Sequence, residues 1–416
     1  MSFSRPSPES AHSIEPALHE AVLASVSSVR DSLPKEHHEH FNILRQEIID
    51  FAASHDIPRE LLSKPDALRE AASKLPTSDL ERLANLLERF KYLIVKKEPM
   101  KEKLSEAREY AEEFYHLEKQ YTSQVALLEQ AGILKEGAIT GIDGKKYPIP
   151  TLEQIASRLF ERRETLQTKH EQGFTKLLLV PFGMSLDVLI KTLDQFLLSY
   201  KQFHPTFAPK TNDSFLIQEE GYQGADTGNF PNLVYKPQSF TEDRHGGKTK
   251  AQILETQDNN PDSFNGWTVH LLQPSNPSDS NSLGFAFIPP QGKGKLQGDL
   301  TPRPPLEIGQ SANEYFSTLQ ACKDKEDSPY SHESGMTLED WIIAFMTHLQ
   351  ETGKPLDDIW NPTRIEGHSC FLGAVYSFIS SVPCAYWDCN DQKVNFVWSN
   401  YRSRSGYLGI RTSVIV

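Results

Sequence analysis

PCAYWDCNDQKVNFVWSNYRSRSGYLGIRTSVIV, residues 383–416, closes the chain, and its composition breaks with everything before it. Beyond Glu366 there is no further Glu or Met, a single Lys (Lys393) and a single Gln (Gln392), while Tyr, Trp, Phe, Ser, Asn and Arg crowd together. Aromatic rings supply rigid contact area at low entropic cost, Ser, Asn and Gly supply adaptable hydrogen bonds, and Arg adds a planar charged fork. That mixture is the composition of an antibody paratope. A β-rich core is aromatic too, but the polar residues here come in runs, 388–393 and 399–407, which a core cannot satisfy. The stretch reads as a loop-rich binding face. It ends in a strand over residues 412–416, and a terminal strand is ordered only when it pairs inside a sheet.

The rest of the chain is different in kind. Its 416 residues predict two or three domains, and 56 acidic against 43 basic residues leave a formal charge of -13. That balance argues against a general nucleic-acid coat or an anionic-membrane binder, since both rely on a positive field. Cys322, Cys370, Cys384 and Cys389 are too few and too unevenly placed for a disulfide framework or a paired-CxxC zinc site, so free thiols are the default. The opening MSFSRPSPESAHS lacks the basic cap and apolar run of a secretory signal, and no apolar run approaches the roughly 20 residues of a membrane span. The expectation is a cytoplasmic protein without a membrane span, with export by a route that uses no such signal left open.

Periodicity divides the chain. Residues 1–12 read as a disordered lead and 13–135 as a helical bundle or coiled-coil domain, through which the chain can also oligomerise. Ser78 with Glu81 makes a capping box ahead of Leu83, Leu86, Phe90 and Ile94. The longest helix is expected next, with Leu104, Ala107, Ala111, Phe114, Leu117, Tyr121, Val125 and Leu128 along one face and Gly132 as its left-handed cap. Residues 136–204 read as a connector: a hairpin turning at Asp143-Gly144, a helix capped by Thr151 and Gln154, and another from about Ser185 to Tyr200. KLLLVPF, residues 176–182, fits a buried strand or a helix segment. From 205 onward short strands are expected at LVY (233–235), WTVHLL (267–272) and LGFAFI (283–288). Helices opened by Ser311 with Glu314 and by Thr337 interrupt them. The fold class is α+β.

Several stretches carry candidate chemistry. KEHHEHF groups His37, His38 and His40 without HExxH spacing, and a solvated helix face outweighs a metal site. HGGKTK, residues 245–250, resembles half of a phosphate loop, but the first glycine of that motif would be Glu242. PPQGKGKLQG leads into no helix, which argues against a nucleotide fingerprint. GHSC places His368 beside Ser369 and Cys370, adjacency without geometry. Cys384 and Cys389 are the more enzyme-like pair, able to form a disulfide, bind metal or do redox work.

The aromatic and serine-rich tract closing on YLGIRTSVIV resembles the variable region of diversity-generating retroelement target proteins, which carry a C-type lectin fold of the formylglycine-generating-enzyme type. FTKLLLVPFGMSLDVLI (174–190), HGGKTKAQILETQ (245–257), SANEYFSTLQ (311–320) and GMTLEDWIIAFMTHLQETG (335–353) are similar to the larger proteins of this kind, so the resemblance spans 174–416 and leaves the N-terminal helices uncovered. It implies an N-terminal helical domain followed by a C-type-lectin-like domain over 205–416 with a mixed, loop-rich β-sheet and a variable region at about 376–407. In such systems template adenines are altered, so AAC codons become NNC codons, which cannot encode Glu, Lys, Gln, Met or Trp. The resemblance implies ligand-facing positions at Tyr376, Ser377, Ile379, Ser381, Cys384, Tyr386, Asp388, Cys389, Asn390, Asp391, Asn395, Phe396, Ser399, Asn400, Ser403, Ser405, Gly406 and Tyr407. Trp387, Gln392, Lys393, Trp398 and Arg411 are then scaffold, as are Trp341 and the terminal strand.

The implied function is ligand binding, without a reaction, metal or cofactor; the ligand is an unidentified protein or surface and not a nucleic acid. Two alternatives stand beside it. The formylglycine-generating enzymes of this fold use a cysteine pair with four intervening residues before a GFR-like strand, which Cys384, Cys389 and Gly409-Ile410-Arg411 match, although the family's LPTEAEWE-type helix entry is missing. A helical structural or adaptor protein is the other.

Overall fold

Apolar residues three and four apart decide the first elements. In the computed structural model, which describes residues 26–55, 57–58, 75, 77–97, 101–204, 207, 217–219, 221–228, 231–240, 245–260, 263–292, 303–323, 325, 328–358, 367–377 and 381–416, the chain forms two compact units with mixed α+β secondary structure. The first unit comprises residues 1–109, 157–165 and 260–262. It contains α1 (Val26–Asp31), a 3-10 turn (Lys35–His37), α2 (His38–Ser54), α3 (Thr77–Lys96) and the start of α4 (Lys101–Tyr115). Phe41, Leu44, Ile48 and Phe51 line one stripe of α2; Leu83, Leu86, Phe90 and Leu93 line one stripe of α3. The stripes meet, with the Phe41 and Phe90 rings 5.2 Å apart. His38 of the histidine cluster turns Nε2 to the Leu33 carbonyl at 3.0 Å.

The single long helix expected over 104–128 is two helices. His116, with φ 48°, separates α4 from α5 (Leu117–Gln130). The buried stripe shifts with the break: α5 buries Leu117, Gln124, Leu127 and Leu128. Two polar residues explain the shift. Leu177 N donates to Gln120 Oε1 and Leu179 N to Gln124 Oε1, both at 2.8 Å; the two side-chain amides donate back to the Thr175 and Leu177 carbonyls. These glutamines bond backbone groups of β3 (Lys176–Val180), a fully buried strand that pairs, among the described residues, with β6 alone. KLLLVPF is thus a strand. As expected, Gly132 adopts φ 75° beyond α5.

The second unit comprises residues 110–156, 166–259 and 263–416. The Asp143-Gly144 turn joins β1 (Ala138–Thr140) to β2 (Lys146–Pro148), and α6 (Leu152–Glu161) opens on the reciprocal Thr151–Gln154 bonds. Then come α7 (Arg163–Glu171), β3, α8 (Leu186–Phe203), β4 (Ile217–Glu219), β5 (Leu233–Tyr235), α9 (Lys250–Asp258) and β6 (Thr268–Leu272). After these follow α10 (Ala312–Cys322), β7 (Glu333–Gly335), α11 (Leu338–Thr352), β8 (His368–Cys370), β9 (Ala374–Tyr376), β10 (Ser381–Asp388), β11 (Lys393–Asn400), β12 (Leu408–Ile410) and β13 (Thr412–Ile415). One sheet has the order β3-β6-β13-β7, another β12-β8-β10-β11-β4, and β5 pairs with β9. The terminal strand is interior, bonded to β6 on one side and β7 on the other. Among the described residues no helix is long and apolar enough to cross a membrane.

Reciprocal capping boxes open α10 (Ser311, Glu314) and α11 (Thr337, Asp340), and Gly353 at φ 69° ends α11. HGGKTK is another such start. Thr249 and Gln252 cap α9, while Lys250 is fully buried on the Met184 carbonyl (2.7 Å), Asp226 (2.5 Å) and Glu339 (2.8 Å). LGFAFI does not form the expected strand. Gly284 is left-handed (φ 72°), and the segment makes only an isolated bridge, Phe285 to Pro274; side chains take other backbone groups, with Gly284 N donating to Glu351 at 2.6 Å, Phe285 N to His348 Nδ1 at 2.9 Å, and the Ala286 carbonyl accepting from Arg411.

Candidate ligand-binding face

The β10–β11 hairpin organises the C-terminal sheet. Its register pairs Ser381 with Asn400 and Asp388 with Lys393, and strand alternation then assigns the faces. Val382, Cys384, Tyr386 and Asp388 share one face with Val397, Asn395 and Lys393; Pro383, Ala385 and Trp387 share the other with Trp398, Phe396 and Val394.

The second face is closed by α11. Trp341 meets Phe396 edge-on at 5.7 Å, and Phe345 lies 6.1 Å from Trp387. Beneath them the fully buried Asp357 accepts from Trp341 Nε1 (2.8 Å), Ser369 Oγ (2.6 Å) and Arg411 Nη2 (2.5 Å), and its own carbonyl accepts from Trp387 N (3.0 Å). Through its carboxylate and its carbonyl, Asp357 ties together α11, β8, β10 and Arg411, the residue between β12 and β13. Ser369 is thus a donor to Asp357.

On the first face, Val382, Cys384, Cys370, Leu408 and Ile410 are buried with Ala312, Phe316 and Leu319 of α10. Cys370 and Cys384 oppose one another across β8 and β10 and are disulfide-bonded, which replaces the expected free thiols at these positions. Cys389 is a free thiol at the hairpin tip. It follows Asp388, the last residue of β10, in the turn, whereas Cys384 lies inside the strand and is bonded to Cys370. The two are not brought together.

Past the disulfide the face opens. His368 stacks on Tyr386 with centroids 4.1 Å apart and planes 8° apart, and Tyr407 lies 6.4 Å away on the imidazole. Burial pushes the His368 pKa down to about 4, against the pull of Asp357 and Asp388, so the ring is neutral at neutral pH. Its Nε2 is buried without a hydrogen-bond partner. The row Tyr386–His368–Tyr407 is continued by Asp388 and Lys393, both half-buried.

The positions expected to face a ligand divide into groups. Asn390, Asp391, Asn400, Ser403, Gly406 and Tyr407 are exposed; Ser377, Tyr386, Asp388, Cys389, Ser399 and Ser405 are half-buried. Tyr376, Ser381, Cys384, Asn395 and Phe396 are buried, because they fall on covered parts of the sheet, and Ile379 lies outside the described residues. Of the residues expected to be scaffold, Trp387 and Arg411 are buried, whereas Trp398 is 47% exposed. Local bonds hold both loops. Asn390 N and Asp391 N donate to Asp388 Oδ1, and Arg404 reaches Glu314, whose carboxyl is held down at about 2 by Arg404 and Ser311.

Sequence reading missed His368 as a member of this face and Asp357 as its anchor. The GHSC stretch drew attention to His368 for a different reason, and nothing local to DDIW marks Asp357. No protein-family model, curated protein or solved structure matches the chain.

Proposed function

We propose that the chain is a ligand-binding protein whose C-terminal part is a C-type-lectin-like domain displaying a recognition surface diversified by a retroelement. The observation that carries the reading is the division of labour within one sheet. Buried side chains anchor the strands through Asp357, Arg411 and Trp341, while the β10–β11 tip and the 401–407 loop present Asn390, Asp391, Asn400, Ser403, Gly406 and Tyr407 to solvent. These side chains lie at the surface and not in the core, and the near-absence of Glu, Lys, Gln and Met in this region agrees with NNC-codon diversification. The oxidase alternative requires Cys384 and Cys389 to act as a pair, and it is weakened by the bond of Cys384 to Cys370.

The test is the DNA flanking the coding sequence. A near-identical template repeat with adenines at the codons for the exposed positions, next to a reverse-transcriptase gene, is the expected result. Absence of the repeat, or codons at these positions that do not end in C, rejects the reading.

A further inference from the structure

We infer that the Cys370–Cys384 disulfide is a redox-set clamp on the candidate ligand-binding face, closed when the chain folds under oxidising conditions. The inference takes its functional meaning from the binding reading above, but its geometry is independent of it. Cys370 and Cys384 occupy directly opposed positions on β8 and β10, and the stacked pair His368–Tyr386 sits two residues further along each strand on the same face. A covalent bond at one cross-strand position fixes the separation at the next. The non-covalent pairing it reinforces is short, since β8 contributes only three residues and meets β10 at two of them.

Closure balances as thiol–disulfide exchange. One cysteine thiolate attacks a small-molecule disulfide such as oxidised glutathione and expels one thiol; the second thiolate attacks the resulting mixed disulfide and expels the other, so two protons and two electrons leave the protein. Both sulfurs are then enclosed: Cys370 is 2% exposed and Cys384 is 0% exposed. Exchange needs access to sulfur, so the redox state is set during folding and is protected afterwards. A chain folded in a reducing compartment has the same sheet without the clamp.

The experiment uses the full chain, refolded with oxidised glutathione, denatured, and treated with a maleimide before and after reduction. Two thiols, Cys322 and Cys389, are expected to react before reduction and all four after it, with peptide mapping linking 370 to 384. Reaction of all four beforehand, or a different linkage, overturns the inference. Amide exchange then tests the clamp itself without any ligand, so its outcome is separate from that of the genomic test. In the reduced protein, peptides covering 368–376 and 381–388 are expected to open roughly a hundredfold more often, the loop-closure effect for a closed loop of about 15 residues. Peptides of β3, β6 and β13 serve as the unchanged reference. Cys370→Ser should behave as the reduced protein does; if that variant fails to fold, reduced wild type supplies the comparison. Equal exchange in both redox forms overturns the clamp.

Discussion

The indole N–H of Trp341 donates to the carboxylate of Asp357 at 2.8 Å, inside a site from which water is excluded. The same carboxylate holds the Arg411 guanidinium, so it neutralises a buried cation as well as orienting a ring. Both Asp357→Ala and Asp357→Asn strand that cation; Asp357→Ala, which also removes the acceptor, should destabilise the second unit by about 3–5 kcal/mol, and Asp357→Asn, which keeps one acceptor, by less. Urea unfolding followed by tryptophan fluorescence measures both, and equal losses would show that the acceptor kept by Asn adds nothing once the charge is gone.

Gln124 tests the other sheet. Its side chain serves the Leu179 amide and the Leu177 carbonyl of β3, a strand with no exposed residue. Gln124→Leu leaves two buried backbone groups unsatisfied, at a cost of about 2–4 kcal/mol, despite being more hydrophobic. A neutral or stabilising result in chemical denaturation would mean that β3 finds other partners.

His368 sets a pH dependence. Its folded pKa of about 4 lies below the ordinary 6.5, so it costs folding nothing above pH 6.5. As pH falls from 6.5 toward 4 the unfolded chain takes the proton first, and stability declines by up to about 3 kcal/mol. Denaturation midpoints measured across this window should fall for wild type and fall less for His368→Asn. An imidazole titrating near 6.5 by NMR would contradict the burial.

The buried and exposed members of the proposed variable set should respond differently. Asn390→Tyr, Asp391→Tyr and Ser403→Tyr change side chains that touch little, and each should shift stability by less than about 0.5 kcal/mol. Phe396→Ala removes a ring packed against Trp341 and Tyr222 and should cost about 3–5 kcal/mol. Thermal melts of the four variants check this, and a tolerated Phe396→Ala would place that position among those free to vary.

Much of the local structure is legible in the residues themselves. Thr151, Ser311 and Thr337 announce helix starts because a capping box needs only residues three apart, and Asp143-Gly144 announces a hairpin because the turn is satisfied within itself. LGFAFI misleads for the opposite reason. It looks like a strand by composition, yet it forms only an isolated bridge, and His348, Glu351 and Arg411, none of them nearby in sequence, take three of its other backbone groups. The break at His116 is similar: apolar spacing carries straight through it, and only the docking of Gln120 and Gln124 onto β3 shows why the stripe changes.

The terminal segment shows the same division most clearly. Its composition, the strand over 412–415 and the polar turn at 388–393 follow from the sequence, because they depend on residue chemistry and contacts a few positions apart. Which of its side chains are reachable is a tertiary matter. Cys384 and Cys370 are 14 residues apart and meet only because β8 pairs with β10, and Phe396 is buried while Trp398 is exposed because α11 covers one part of a face and not another. Strand alternation gives every residue a side, but the elements packed on each side decide whether it becomes core or contact surface.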